Sequence, residues 1–239
     1  MDAWMERTEL LLGKEKLNLI KKSNILIVGL GGVGGYAAEQ LVRAGVTNLT
    51  VVDGDKVSES NINRQLPASH KTIGMEKAEL IKARFLEINP NLKLTVIPKY
   101  IEDSKMQSLI LQSNFNYVID AIDTIAPKVE LIKACVENKI PLVSSMGAGG
   151  RLDPTKIEIT DISKSYNDKF AFNIRRRLHK YGIFKGFKVV FSSELVNKNA
   201  IKLVQERNKK STVGTISFLP AAFGIYCASV VLNDIVKEA

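Results

Sequence analysis

Read for apolar spacing, the first 150 residues repeat one unit: a short apolar run, a glycine-rich or polar turn, then a longer stretch of helical periodicity. The run ILIV (residues 25–28) meets a cluster of glycines. YAAEQLVRAG beyond it carries apolar residues at helical intervals up to Gly45, which predicts strand, turn, helix. NLTVVD is the next strand. A second cycle follows in MEKAELIKARFLEINP, a helix stopped by Asn89 and Pro90, then the strand KLTVIPKY, the short helix KMQSLILQS and the strand NYVIDAID. A third consists of the helix PKVELIKACVEN and the strand IPLVSS. Strands joined through helical crossovers form a mainly parallel sheet covered on both faces, so the predicted fold class is α/β, Rossmann-like and doubly wound.

Beyond Gly150 the pattern changes. KIEITDI and FKVVFSSE alternate like half-exposed strands, which predicts antiparallel strands added to the sheet in the C-terminal part. Two polar, basic segments, 165–186 and 197–214, show little apolar periodicity outside IRRRLHKYG and are expected as mobile loops or weak helices. The run ISFLPAAFGIYCASVVL (216–232) contains Pro220 and a central glycine. It falls short of the roughly 18 to 20 residues a membrane span needs, so a buried helix is expected there and no stable membrane insertion. The expected organisation is one domain over residues 1–239, with a nucleotide-binding half at 1–150 and a substrate-binding extension at 151–239.

Composition narrows the class. The 239 residues are 45% hydrophobic and 25% charged, enough for one substantial core. A formal charge of +9 fits either an anionic partner or a solvated basic surface. Only Cys135 and Cys227 occur, which rules out a disulfide framework and paired C-x-x-C zinc motifs and fits a reducing, cytoplasmic setting. Both lie on apolar helical faces, so burial rather than catalysis is expected of them. The opening MDAWMERTEL lacks the basic-then-apolar order of a secretory signal.

The candidate chemistry begins at the first turn. Gly29, Gly31, Gly32 and Gly34 crowd it, and missing side chains let backbone N–H groups approach a phosphate. Asp53 ends the second strand about 20 residues on, where a carboxylate accepts from ribose hydroxyls. NAD and ATP sites share both features, which by themselves favour a dehydrogenase. The residues that follow reverse that reading. Asn61, Asn63, Arg64 and Gln65 form a polar cluster that suits a polyphosphate whose charge grows during displacement. Lys77 heads the next helix, and Asp120 and Asp123 of DAID end the fourth strand, as a magnesium-bound triphosphate requires. Singly, each has a plainer reading: the asparagine cluster as a turn, Lys77 as a solvated helix residue, Asp123 as a helix cap.

Taken in order, GLGGVGG, VDGD, NINRQ, GMEKA and DAID resemble the adenylation domain of ubiquitin-activating enzymes and of the enzymes that activate sulfur-carrier proteins for thiamine and molybdopterin synthesis. The resemblance covers residues 7–150. It implies that the turn from Gly31 to Gly34 holds ATP phosphates and Asp53 the ribose. It further implies that Asn61, Arg64 and Lys77 contact the polyphosphate, that Asp120 helps hold Mg2+, and that Asp55 and Gln65 shape the site. Arg64, Lys77 and Asp120 would then be the catalytic residues. Such enzymes are homodimers in which an arginine near the N-terminus reaches the partner subunit's ATP site. Arg7 is the candidate for that role here.

One branch, the tRNA threonylcarbamoyladenosine dehydratases, is similar over nearly the whole chain, with MGAGGRLDPTKI the most diagnostic stretch. The reaction it implies activates the threonyl carboxylate of the modified adenosine beside the anticodon by attack on the α-phosphate of ATP. The ureido group of the same residue then closes an oxazolone ring with net loss of water, and no protein thiol is required. Arg175, Arg176, Arg177, Lys180, Lys185 and Lys188 would hold tRNA phosphates, as would Lys198, Lys202, Arg207, Lys209 and Lys210 further on. His179 lies among the first group. Two other readings stay open: activation of the C-terminus of a ubiquitin-like or sulfur-carrier protein, and a catalytically idle nucleotide-binding partner in a sulfur-transfer or modification assembly, where a sulfur-transfer protein would be its partner.

Overall fold

The computed structural model describes residues 3–101, 105–206 and 209–237. Helices α1 (Glu6–Leu12) and α2 (Lys14–Lys22) precede the sheet. The predicted alternation then appears as β1 (Asn24–Val28), α3 (Gly34–Arg43), β2 (Asn48–Val52), α4 (Lys77–Ile88) and β3 (Lys93–Ile97). It continues as α5 (Met106–Leu111), β4 (Tyr117–Asp120), α6 (Ile125–Glu137) and β5 (Leu142–Ser145). The later part supplies β6 (Ile157–Asp161), α7 (Lys169–Leu178), β7 (Lys188–Ser192), the pair β8 (Ile201–Glu206) and β9 (Lys209–Val213), and α8 (Phe218–Lys237).

Seven strands form one sheet in the order β3-β2-β1-β4-β5-β7-β6. All neighbours are parallel except β6, which runs antiparallel to β7. The fold is thus Rossmann-like α/β, but of the two strands expected to be antiparallel only β6 is. After β5 the chain runs out along β6 at the edge and returns through α7, so β7 enters in the direction of β5. The central strands bury both faces, as β1 illustrates. Ile25 and Ile27 pack with α3, α4 and α8 on one side, while Leu26 and Val28 pack with α5, α6 and α7 on the other.

Both segments expected as mobile loops or weak helices contain regular structure. Residues 165–186 hold α7, which buries Ala171, Ile174 and Leu178 at helical spacing and is capped by the Asp168 carboxylate accepting from the Ala171 N–H at 2.9 Å. The periodicity seen at IRRRLHKYG belongs to the C-terminal half of this helix, which extends back to Lys169. Residues 197–214 hold the two-stranded pair β8–β9, pinned at its base where the Gly150 N–H donates to Gly214 O at 2.8 Å and the Asn197 N–H to Gly150 O at 2.9 Å. Arg207 lies outside the described residues, as do the side chains of Lys209 and Lys210.

The apolar run near the C-terminus is helix α8. Among the described residues it is the one helix long and apolar enough to cross a membrane, yet Leu219, Phe223, Cys227 and Val231 are buried against α2, α3, β5 and β7. A Cβ added to Gly224 would lie 2.4 Å from the Val33 carbonyl oxygen, so α8 and α3 cross at backbone contact.

Candidate active site

The strand order reverses between β1 and β4, and the crevice at their C-terminal ends is where open doubly wound sheets bind ligands. The glycine turn follows β1 and DAID closes β4, so the sequence motifs converge there. The four glycines serve different ends. Gly29 has φ +94° and its missing Cβ would sit 2.8 Å from Ala121 O, while a Cβ on Gly34 would fall 1.8 Å from Gly29 O. These two let the turn close against the loop after β4. Gly32 lies under Pro220 and Arg64. Gly31 alone borders open space, its nearest neighbour being Gln65 Nε2 at 3.8 Å.

Opposite this corner stands a chain of charged groups. Asp53 accepts from the Leu30 N–H at 2.6 Å and the Asp55 N–H at 2.7 Å, which fixes its carboxylate at the turn. Burial pushes the Asp53 carboxyl above its ordinary range, opposed by the positive charge of Lys77. Asp55 accepts from Lys77 Nζ at 2.8 Å and also from the Tyr100 hydroxyl. That hydrogen bond, with burial adding to it, pushes the Tyr100 phenol up to about 12. Tyr100 was not recognised in the sequence because it lies past the end of β3, outside every motif.

The NINRQ residues form the third wall. Asn61 is buried and accepts from the Ser58 N–H at 3.1 Å, so part of its function is to cap its own turn. Asn63 donates to Thr215 O at 2.8 Å, tying the loop to the segment that enters α8. Arg64 donates to Ser60 O at 2.7 Å and Asn63 Oδ1 at 2.9 Å. Burial draws its guanidinium below the ordinary value, opposed by the charge of Asp123. Gln65 Oε1 is buried without a hydrogen-bond partner, while the Nε2 of the same amide is the group nearest the open corner at Gly31.

The two strand-end aspartates part company. Asp120 is fully buried, pairs with Val28 and Ser144 in the sheet, and forms an ion pair with Lys128 at 2.9 Å. It also accepts from Ser144 Oγ at 2.6 Å and the Ile122 N–H at 3.1 Å. With both oxygens engaged and no exposed surface, Asp120 is not placed to hold a metal; the exposed carboxylate at this end of β4 is Asp123. Lys128 was missed because it occupies the apolar face of α6 shared with Ile132 and Cys135, where its charge reads as an interruption. It also donates to Ile122 O at 3.0 Å and lies 5.7 Å from the Phe170 ring centroid, so it braces the loop from below.

The other residues singled out in the sequence differ in use. Arg175 donates to Ser165 O at 2.6 Å and to Ser165 Oγ, and Lys188 pairs with Asp234 at 2.5 Å, so these two cations bind their own chain. Arg176, Arg177, Lys180 and Lys185 are exposed. Arg151, inside the diagnostic MGAGGRLDPTKI stretch, is buried and ties together Gly147 O, Asn167 O, Glu194 O and Asp168. Cys135 and Cys227 are both fully buried. Burial pushes the Cys135 thiol up and that of Cys227 up to about 12. A hollow of about 410 Å³ lined by Lys22, Asn48 and Lys93 lies at the opposite, N-terminal ends of β1 to β3, away from this crevice.

The sequence pattern of the ThiF family matches residues 5–238. The chain belongs to the ThiF family. Within it, the chain is 38% identical to the tRNA threonylcarbamoyladenosine dehydratase of Bacillus subtilis, over 97% of this chain and 94% of that protein. The crystal structure of the Escherichia coli tRNA N6-threonylcarbamoyladenosine dehydratase in complex with ATP superposes with a TM-score of 0.90 at 35% identity. That match covers 100% of this chain and 97% of the other. The molybdopterin-synthase adenylyltransferase of Escherichia coli is 39% identical, but over only 56% of this chain and 52% of its own length. The likeness to the adenylyltransferase is thus partial, whereas the likeness to the dehydratases runs end to end.

Proposed function

We propose that this chain is an ATP-dependent enzyme that converts threonylcarbamoyladenosine in tRNA to its cyclic oxazolone form. The observation that carries the reading is the end-to-end match to dehydratases, which includes the Arg151 stretch and the strands after it. Two features of the crevice fit ATP: the open corner at Gly31 and the Gln65 amide beside it, whose Nε2 can donate to a phosphate oxygen. ATP supplies the adenylyl group that makes the threonyl carboxylate reactive, and pyrophosphate leaves.

The chain's own residues then have distinct work. Asp53, held by two backbone N–H groups, receives the ribose hydroxyls. Lys77 and Arg64 face the polyphosphate, where fixed positive charge in a partly buried site stabilises charge that develops as the bond to the leaving group lengthens. Asn61, Asn63 and Asp55 hold those cations and their loop in place. Asp123, exposed at the end of β4, would hold Mg2+, and Asp120 acts from beneath by fixing Lys128 and the loop. Ring closure joins two groups of one residue, so residues 151–237 contribute by orienting the substrate. Neither buried, protonated thiol takes part.

A homodimer belongs to this reading. Leu10 and Leu11 on α1 are 80% and 82% exposed beside Arg7, an apolar pair that a second copy would cover. Mass spectrometry of tRNA nucleosides is the test. Cells lacking the protein should accumulate threonylcarbamoyladenosine without its cyclic form, and the purified protein with ATP should restore the loss of one water. An unchanged nucleoside profile would sink the proposal.

A further inference from the structure

Between Lys169 and Lys188 the sequence has seven lysines and arginines and no aspartate or glutamate. The surface of α7 and the turn after it adds a second property. Phe172 and Phe184 are 52% and 57% exposed, although nothing in the fold requires large rings in solvent. Phe172, Arg176 and His179 stand at i, i+4 and i+7, one face of the helix. Phe184 folds back on His179, their ring centroids 4.8 Å apart, and extends that face with a second ring. Arg177, Lys180 and Lys185 are exposed around it.

We propose that this face is a stacking platform for the unpaired bases of a single-stranded RNA loop, with the neighbouring cations on the loop's phosphates. The inference rests on the reading of tRNA as substrate and goes beyond it by saying which surface holds the RNA and which part of the RNA is held. Exposed rings interleaved with guanidinium groups match splayed bases, whose faces are free, and do not match a duplex, whose faces are stacked inside. Position supports the assignment. Phe170, two residues before Phe172, lies against Lys128, which in turn pairs with Asp120 at the floor of the crevice. The first turn of α7 thus packs against the start of α6, the helix that follows the DAID loop.

Fluorescence titration with two RNAs separates the possibilities: an anticodon stem–loop carrying threonylcarbamoyladenosine, and a blunt duplex with the same number of phosphates. The wild type should prefer the stem–loop. The double variant Phe172→Leu, Phe184→Leu keeps apolar area but removes both rings, and should weaken stem–loop binding about tenfold or more while changing duplex binding less than about twofold. Arg176→Ala with Arg177→Ala should weaken both RNAs and flatten the salt dependence. ATP affinity, equal in all variants, certifies the fold. Equal wild-type affinity for the two RNAs, or an unchanged stem–loop affinity in the ring variant, would overturn the platform. Turnover of modified tRNA by wild type in that case leaves the dehydratase reading intact. Ring-dependent loop binding without turnover would leave the platform and remove the reading.

Discussion

Lys77 and Lys128 are both buried and each pairs with an aspartate, but Asp55 is 46% exposed whereas Asp120 is sealed, and the surroundings give the two lysines different work. Lys77 sits at the lip of the crevice, its partner Asp55 also held by Tyr100, so its charge is available to a ligand. Lys77→Ala should fold and lose turnover on the order of a hundredfold, read as kcat on modified tRNA beside a thermal melt. Lys128 is sealed with Asp120 and faces no ligand. Lys128→Met leaves a buried carboxylate unpaired and should cost about 3–5 kcal/mol in urea denaturation, much of it recovered when Asp120→Asn is added. A double variant as unstable as the single one would show the pair to be unimportant. Spacing in the sequence found Lys77, which heads its helix. It did not separate Asp120 from Asp123, because which carboxylate turns inward depends on neighbouring strands, and Ser144 lies 24 residues further on.

At the level of elements, the glycine turn was legible because its geometry excludes side chains locally. The glycines nonetheless divide into packing and open positions. Gly34→Ala drives a methyl into Gly29 O and should abolish a cooperative melt, whereas Gly31→Ala meets nothing closer than 3.8 Å and should melt normally while losing ATP affinity in calorimetry. Equal behaviour of the two variants would contradict that division. Strand direction was less legible than strand existence. β7 runs parallel to β5 only because the excursion through β6 and α7 intervenes, and no local pattern in FKVVFSSE records that detour. The helix α7 was legible only in its C-terminal half, at IRRRLHKYG, where Arg175 binds Ser165.

For the whole molecule, one sheet carries both halves of the chain, with β7 paired on β5 and α8 returning across α3. The cysteines belong to that shared core and not to the crevice. Replacing both by alanine should keep dehydratase turnover and cost about 1 kcal/mol each from the small cavities left. Loss of turnover with an intact fold, or a trapped thioester on either one, would point instead to protein activation. The closing of α8 over the glycine turn also bears on how the protein is made. Gly224 meets the Val33 carbonyl, Pro220 covers Gly32, and Thr215 receives Asn63, yet all three come far later in the chain than the residues they secure. A ribosome delivers the crevice's first wall long before its last brace. While synthesis proceeds from the N-terminus, α3 must keep its apolar face wet and the asparagine loop must remain unanchored. A message cut short before α8 therefore encodes a protein with every ATP motif written and no site assembled.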